Sequence, residues 1–250
     1  MKILIVVPTY NEEENVGILI KKIKMLEISG MDVLFVDDNS SDRTAEEIKF
    51  FQQENPRVFL LERESKLGLG TAYLAGFSWG LKNEYDVMIE MDADLSHDPD
   101  YLLSLIEVAK NYDFVIGSRY IPGGGIENWG FFRRKLSFLG SIYARIILGV
   151  NIRDFTGGFN VWRADVLRKI GLDSISSNGY SFQIELKFRA VKAGFKYKEV
   201  PIVFKERTIG QSKMNLRIVA EALWRIPFLR FPGSVSLAKS RKTKEYPGNV

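Results

Sequence analysis

The chain has no cysteine in its 250 residues, which excludes disulfide bridges and thiolate metal sites and is compatible with a reducing compartment. It has no run of about 18 uncharged apolar residues, so no transmembrane helix is expected. The apolar start, Met1-Lys-Ile-Leu-Ile-Val-Val-Pro8, is too short for a secretion signal and stops at a proline. There is no Walker-type phosphate loop. The first strand-to-helix turn, residues 8–12, has no glycine, so Gly68-Leu-Gly70-Thr-Ala-Tyr-Leu-Ala-Gly76 stands in the wrong place for a dinucleotide fingerprint. Gly68 and Gly70 read instead as a tight turn into a helix with close backbone approach to a ligand.

What is present is a chain that is 46% hydrophobic, enough for a full core, with one domain and an appendage as the default. The net charge is +4 and unevenly placed. Acids dominate residues 11–100, while bases cluster at 133–135, 196–213 and 239–244, which suggests an anionic partner for the second half. Strands are expected over 3–7, 33–36, 58–61, 87–91 and 114–116. Helices are expected after Asn11 (as cap, with Glu12, Glu13 and Glu14 behind it), after Asp42, over 71–81 and over 101–110. Alternation of this kind predicts an α/β fold with a mostly parallel sheet and helices on both faces. Ligands of such sheets bind beyond the carboxyl ends of the strands. Polar clusters stand there after strand one (residues 8–12), strand two (Asp37, Asp38) and strand four.

That fourth strand carries the most information: Tyr85-Asp-Val-Met-Ile-Glu-Met-Asp-Ala-Asp-Leu-Ser-His-Asp-Pro99. An apolar run ends in Asp92-Ala93-Asp94, so two carboxylates one residue apart reach the sheet rim and can face one point. Like charges so close call for a cation, and Mg²⁺ takes one or two carboxylates and fills its other positions with water and substrate phosphates. The plainer reading is a solvated acidic turn leading into the next helix at Asp98-Pro99. His97, the single histidine, is either a turn residue or a group beside a metal.

Val7-Pro-Thr-Tyr-Asn-Glu12, Val36-Asp-Asp-Asn-Ser-Ser-Asp42, Lys66-Leu-Gly-Leu-Gly-Thr-Ala-Tyr73 and Met91-Asp-Ala-Asp-Leu-Ser-His97 occur in that order. Together they resemble family 2 glycosyltransferases with the GT-A nucleotide-diphospho-sugar transferase fold. Gly117-Ser-Arg-Tyr120, Gly123-Gly124, Thr156-Gly-Gly-Phe159, Gly179-Tyr-Ser-Phe-Gln-Ile-Glu185 and Arg207-Thr-Ile-Gly-Gln-Ser-Lys213 narrow the likeness to the dolichyl-phosphate mannose synthases. The resemblance runs from about residue 3 to 215. It implies inverting, metal-dependent (Mg²⁺ or Mn²⁺) transfer of mannose from GDP-mannose to dolichyl or another polyprenyl phosphate. It implies a guanosine pocket lined by Pro8, Tyr10, Glu12, Val36 and Asp38, with Asp92 and Ala93 nearby. Asp94, Asp92 and Ser96 would hold the metal; Ser96 stands where some relatives have glutamine, and a serine oxygen can still serve a hard cation. Arg119, Arg207 and Lys213 would face the diphosphate and the acceptor phosphate, with Arg133 and Arg134 as further acceptor contacts.

A phosphate acceptor has its second pKa near 6 and is already an anion at neutral pH. It needs cations to approach the donor, and no general base. Asp154, where inverting relatives keep a base, therefore reads first as a positioning residue for sugar or arginine, then as a base, then as a loop contact. Gln183 and Glu185 would position sugar hydroxyls or basic side chains, or lie on a helix surface.

Residues 131–148 predict an amphipathic helix with Phe132, Leu136, Leu139, Tyr143 and Ile146 on one stripe and Arg133, Arg134, Lys135 and Arg145 around it. Such a helix either lies in a membrane interface or packs on the sheet. Residues 216–231 form a second candidate, and 239–250 a basic tail. The expected division is a catalytic domain at 1–215 and an extension at 216–250. A peripheral protein on the cytoplasmic face of a membrane is expected, alone or with a small membrane-anchoring subunit. Competing readings are a polyprenyl-phosphate glucosyltransferase using UDP-glucose and a non-catalytic nucleotide-sugar-binding subunit. Nucleic acid has only the basic tail in its favour.

Overall fold

β1 (Ile3–Thr9) is apolar on both sides because it lies inside a sheet that helices cover on both faces. Its pleat sends Leu4 and Val6 into one core and Ile3, Ile5 and Val7 into the other. The computed structural model describes residues 1–206, apart from Ser176 and Asn178, and residues 224–231.

From β1 the chain continues through α1 (Glu13–Met25), β2 (Met31–Asp37), α2 (Thr44–Glu54), β3 (Val58–Glu62), α3 (Leu69–Lys82) and β4 (Val87–Glu90). Next come α4 (Leu102–Ala109), β5 (Phe114–Ser118), β6 (Gly125–Glu127), α5 (Phe131–Leu148) and β7 (Asn160–Arg163). After them come α6 (Ala164–Ile170), α7 (Gly179–Lys192), β8 (Tyr197–Pro201) and β9 (Val203–Lys205). The main sheet has the order β3-β2-β1-β4-β7-β5-β8, and β6 pairs with β9. Within the main sheet only β7 runs antiparallel to its neighbours. Helices α1, α2 and α4 cover one face and α3, α6 and α7 the other. The expected mostly parallel sheet with helices on both faces is what forms. β2, β1 and β4 are neighbours, so the three acidic strand ends lie side by side.

Helix α3 sits close on this sheet. A Cβ on Gly76 would strike Val6 and crowd Val36, so the helix-to-strand distance depends on its absence.

Two local expectations need correction. Asn11 does not cap α1: the helix starts at Glu13 behind Glu12, without a side-chain cap. Asn11 instead adopts φ 55° and ties two loops together, its backbone N–H donating to Ser40 Oγ and its Oδ1 accepting from Ser41 N–H. Helix α5 has the expected bounds, but it does not pack on the sheet through its apolar stripe. Ser137, Ser141, Ala144 and Leu148 form its buried side. Phe132 is 87% and Ile146 66% exposed, with Leu136 and Leu139 also outward and Tyr143 half-buried. Small residues let the helix backbone approach closely while the bulky stripe stays outside.

Of the second candidate, 224–229 is helical. Ile226 and Leu229 are buried, whereas Trp224, Phe228 and Phe231 are exposed. Arg230 Nη1 donates to Ile147 O at 3.0 Å and joins this segment to the end of α5. Ile218, Leu223 and the tail at 239–250 lie outside the described residues, as do Arg207 and Lys213. Among the described residues no helix is long and apolar enough to cross a membrane.

Candidate active site

The turns after β1 and β2 are locked together by side chains that the sequence offers for ligand binding. Asp37 Oδ1 accepts from Thr9 Oγ1 at 2.9 Å and from Ser40 Oγ at 2.6 Å, and Oδ2 accepts from Ser40 N–H at 2.8 Å. Glu12 Oε2 accepts from Asn15 Nδ2 at 2.8 Å, and the Glu12 amide donates to Thr44 Oγ1 at 2.8 Å. Val36 is fully buried under α3, so its side chain is core and only its backbone faces the turn. Pro8 and Tyr10 are half-buried. The Lys66 ammonium stands 3.6 Å over the Tyr10 ring.

Asp38 has a partner that sequence reading missed. Arg63 Nη1 lies 2.8 Å from Asp38 Oδ1, and both side chains are buried. Burial pushes the Asp38 carboxyl above its ordinary value, and the Arg63 charge offsets only part of that rise. The pairing follows from strand register: β2 and β3 align Asp37 with Glu62, so the next residues of each strand emerge together.

At the end of β4, Asp92 Oδ1 accepts from the Tyr73 hydroxyl at 3.0 Å, and the Asp92 amide donates to His97 Nδ1 at 3.0 Å. His97 is buried, stacked on Phe159 at 4.9 Å and edge-on to Phe204 at 5.4 Å. Burial lowers its pKa, so it is a neutral turn residue that accepts a backbone hydrogen bond. Asp94 is buried, and its Oδ1 accepts from Ser96 N–H at 3.1 Å and Ser96 Oγ at 2.6 Å. Leu95, at φ 61°, turns the chain sharply between them. The donor set is hard oxygen only. Among the described residues no group of three or more His, Cys, Asp or Glu side chains gathers to hold a metal. Two carboxylates past one strand end, Asp94 buried and Asp92 half-buried, fit Mg²⁺ or Mn²⁺ completed by substrate phosphates, and do not fit an all-protein metal cage.

Directly after β5, Arg119 forms a buried fork with Asp154. Nε lies 2.7 Å from Oδ2 and Nη2 2.7 Å from Oδ1. The Arg119 amide also donates to Oδ2 at 2.9 Å, Gly157 N–H donates to Oδ1 at 2.9 Å, and Arg119 Nη2 reaches Thr156 Oγ1 at 2.8 Å. Burial alone would push the Asp154 carboxyl up, yet the Arg119 charge and hydrogen bonds hold it below the ordinary range. Lys187, also missed in the sequence, lies fully buried beneath this turn. Its ammonium donates to the carbonyls of Asp154 (3.1 Å), Phe155 (3.1 Å) and Gly157 (2.7 Å). Burial brings its pKa down to about 8, against the pull of Asp154 and Glu90.

Gln183 and Glu185 are buried, so neither lies on a helix surface. Gln183 Oε1 accepts from Asn160 Nδ2 at 2.9 Å, and the same amide reaches Glu90 Oε2 at 2.5 Å. Burial raises the Glu90 carboxyl to about 7. Glu185 pairs with Arg189 Nε at 2.8 Å and with Ser177 Oγ. It positions a basic side chain, one of the roles expected for it. At the start of α5, Arg133 points inward to Glu206 Oε1 at 3.0 Å and lies 4.1 Å over the Trp129 ring, while Arg134 is exposed.

Residues 4–171 match the model of glycosyl transferase family 2. The chain is 47% identical over 223 residues to an undecaprenyl-phosphate mannosyltransferase of Micrococcus luteus, covering 89% of this chain and 91% of the relative. It is 44% identical over 227 residues to a polyprenol monophosphomannose synthase of Mycolicibacterium smegmatis, covering 89% and 84%. Among solved structures, glucosyl-3-phosphoglycerate synthase of Mycobacterium tuberculosis with Mn²⁺, UDP and phosphoglyceric acid superposes with a TM-score of 0.66 at 14% identity. That match covers 91% of this chain and 76% of the other, and such a likeness speaks to fold alone.

Proposed function

The chain belongs to glycosyl transferase family 2, and from that premise we propose that it transfers mannose from GDP-mannose to a polyprenyl phosphate with inversion at C1. The observation that carries this is the pair Asp92 and Asp94, delivered by β4 beside the turns of β1 and β2, in a chain so close to two polyprenyl-phosphate mannosyl enzymes.

The donor base would lie in the pocket of Tyr10 and Asp38, with Pro8, Glu12 and the Val36 backbone around it and Ala93 nearby. Asp92 and Asp94 would hold Mg²⁺ or Mn²⁺, which neutralises charge on the departing diphosphate when bound. Ser96 holds Asp94 in the orientation this needs. Tyr73 does the same for Asp92.

An oxygen of the acceptor phosphate forms the bond to C1 as the bond from C1 to the β-phosphate oxygen breaks, and GDP leaves. That oxygen is anionic without help from a base. Asp154 is accordingly the residue that orients Arg119, since a fully buried carboxylate with Arg119 on both oxygens and a depressed pKa is a poor proton acceptor. Arg119 would act on the phosphates, and Arg133 with Arg134 would guide the acceptor; Arg207 and Lys213, which the resemblance assigns to the same task, lie outside the described residues. The outward stripe of α5 with Trp224 and Phe228 is the face we assign to the lipid interface. The test is transfer of labelled mannose from GDP-mannose into polyprenyl phosphate, with UDP-glucose in parallel as the competing donor.

A further inference from the structure

We infer that Arg63 is a positioning residue for base recognition: it keeps the Asp38 carboxylate ionised and turned toward the N–H edge of the donor's base. This rests on the reading of the ends of β1, β2 and β4 as a nucleotide-sugar site.

The geometry is a closed ring. Arg63 Nη1 stands 2.8 Å from Asp38 Oδ1, and Arg63 Nη2 donates to Thr71 Oγ1 at 2.8 Å. The Thr71 hydroxyl donates to Gly68 O at 2.7 Å, and Gly68 N–H returns to Asp38 Oδ2 at 3.3 Å. Gly68 closes the ring at φ 101°, a backbone conformation that side-chain-bearing residues rarely adopt. Three separate segments (the end of β2, the end of β3 and the first turn of α3) therefore converge on one carboxylate. Arg63 is 8% and Asp38 5% exposed. An ion pair so buried is weak evidence of a stabilising role, because desolvating both charges offsets most of their attraction.

The chemistry that uses it is base reading. Guanine presents N1–H and the N2 amine side by side, two donors that suit a carboxylate with lone pairs to spare. A protonated carboxyl would set a donor against donors. Without Arg63, burial would favour that neutral form. The groups facing Asp38 are Arg63 from the end of β3, Asp37 beside it on β2, and the amides of Leu67 and Gly68 from the turn before α3. Arg63 is the cation among them.

The test is GDP and UDP binding to the full chain by titration calorimetry between pH 5.5 and 8, each variant's affinity being divided by the wild type's at the same pH. Arg63→Met is expected to bind GDP roughly tenfold to a hundredfold more weakly at pH 5.5 and to recover toward wild type by pH 8. Arg63→Lys, which keeps the charge, is expected to give a flat ratio. Asp38→Asn, a mimic of the protonated carboxyl, is expected to be weak throughout. A flat, wild-type ratio for Arg63→Met, even with a lower unfolding temperature, makes the pair structural and overturns the inference. Wild-type affinity in Asp38→Asn overturns it too, whether or not Arg63→Met folds. Wild-type protein that binds UDP and refuses GDP overturns the guanine donor, and the pH signature of Arg63→Met is then read on UDP. Protein that binds neither overturns both.

Discussion

Arg119 and Asp154, thirty-five residues apart in the chain, meet as a two-pronged ion pair with 2.7 Å on each prong and almost no solvent access. Removing one charge strands the other. Asp154→Asn should cost about 3–5 kcal/mol of stability and lower turnover by about a hundredfold, through loss of Arg119 orientation. The double variant Arg119→Met with Asp154→Leu should recover much of the stability and none of the activity. Thermal unfolding and turnover on the same samples separate the two, and an active double variant would remove Arg119 from the site.

Lys187 gives a pH dependence with a definite sign. Its folded pKa is lowered to about 8 from an ordinary 10.5, so between those values the unfolded chain holds a proton that the folded chain has given up. Stability from this group therefore rises as pH increases through that window. Wild type minus Lys187→Met, compared by unfolding midpoint at pH 8 and pH 9.5, should shift in favour of wild type at the higher pH. Parallel midpoints would contradict the buried ammonium.

Asp94→Ala should abolish metal-dependent turnover, by more than about a hundredfold, with the fold intact by circular dichroism. Ser96→Ala should be milder and should chiefly raise the metal concentration needed, because Ser96 acts on Asp94 through a 2.6 Å hydrogen bond. Undiminished turnover in Asp94→Ala would end the metal assignment.

Much of this was legible in the sequence, and the gaps have physical causes. Asp92 and Asp94 stood out because a buried strand ending in two like charges has few structural explanations. The five expected strands formed because parallel strands read as plain apolar runs. Arg63 was not legible: its meaning depends on the register of β2 against β3, a long-range pairing that no local pattern encodes. Lys187 was hidden for a related reason. It sits among Phe182, Ile184, Leu186 and Phe188 on a helix buried nearly all round, and only the carbonyls of a distant turn explain a lysine there. Asn11 has the right chemistry for a helix cap, but Ser40 and Ser41 engage it first.

The exposed stripe of α5 makes a prediction that separates folding from function. Phe132→Ser with Ile146→Ser should leave the unfolding temperature within a few degrees, since both side chains stand outside the core. Sedimentation with anionic vesicles carrying polyprenyl phosphate should fall severalfold. Unchanged vesicle binding would move the lipid interface elsewhere.

Arg133 and Arg134 are adjacent and differ in direction. Arg133→Ala should raise the KM for polyprenyl phosphate more than Arg134→Ala does, with donor KM little changed, because Arg133 turns inward to Trp129 and Glu206. Equal losses for donor and acceptor would place both arginines outside acceptor binding.

The most direct measurement incubates the purified protein with Mn²⁺, a polyprenyl phosphate, and labelled GDP-mannose or UDP-glucose in separate reactions, and follows label into the lipid phase. Mannosyl lipid from GDP-mannose, none from UDP-glucose, and none from either with Asp94→Ala is the predicted result. Glucosyl lipid from UDP-glucose, without mannosyl lipid, would contradict it.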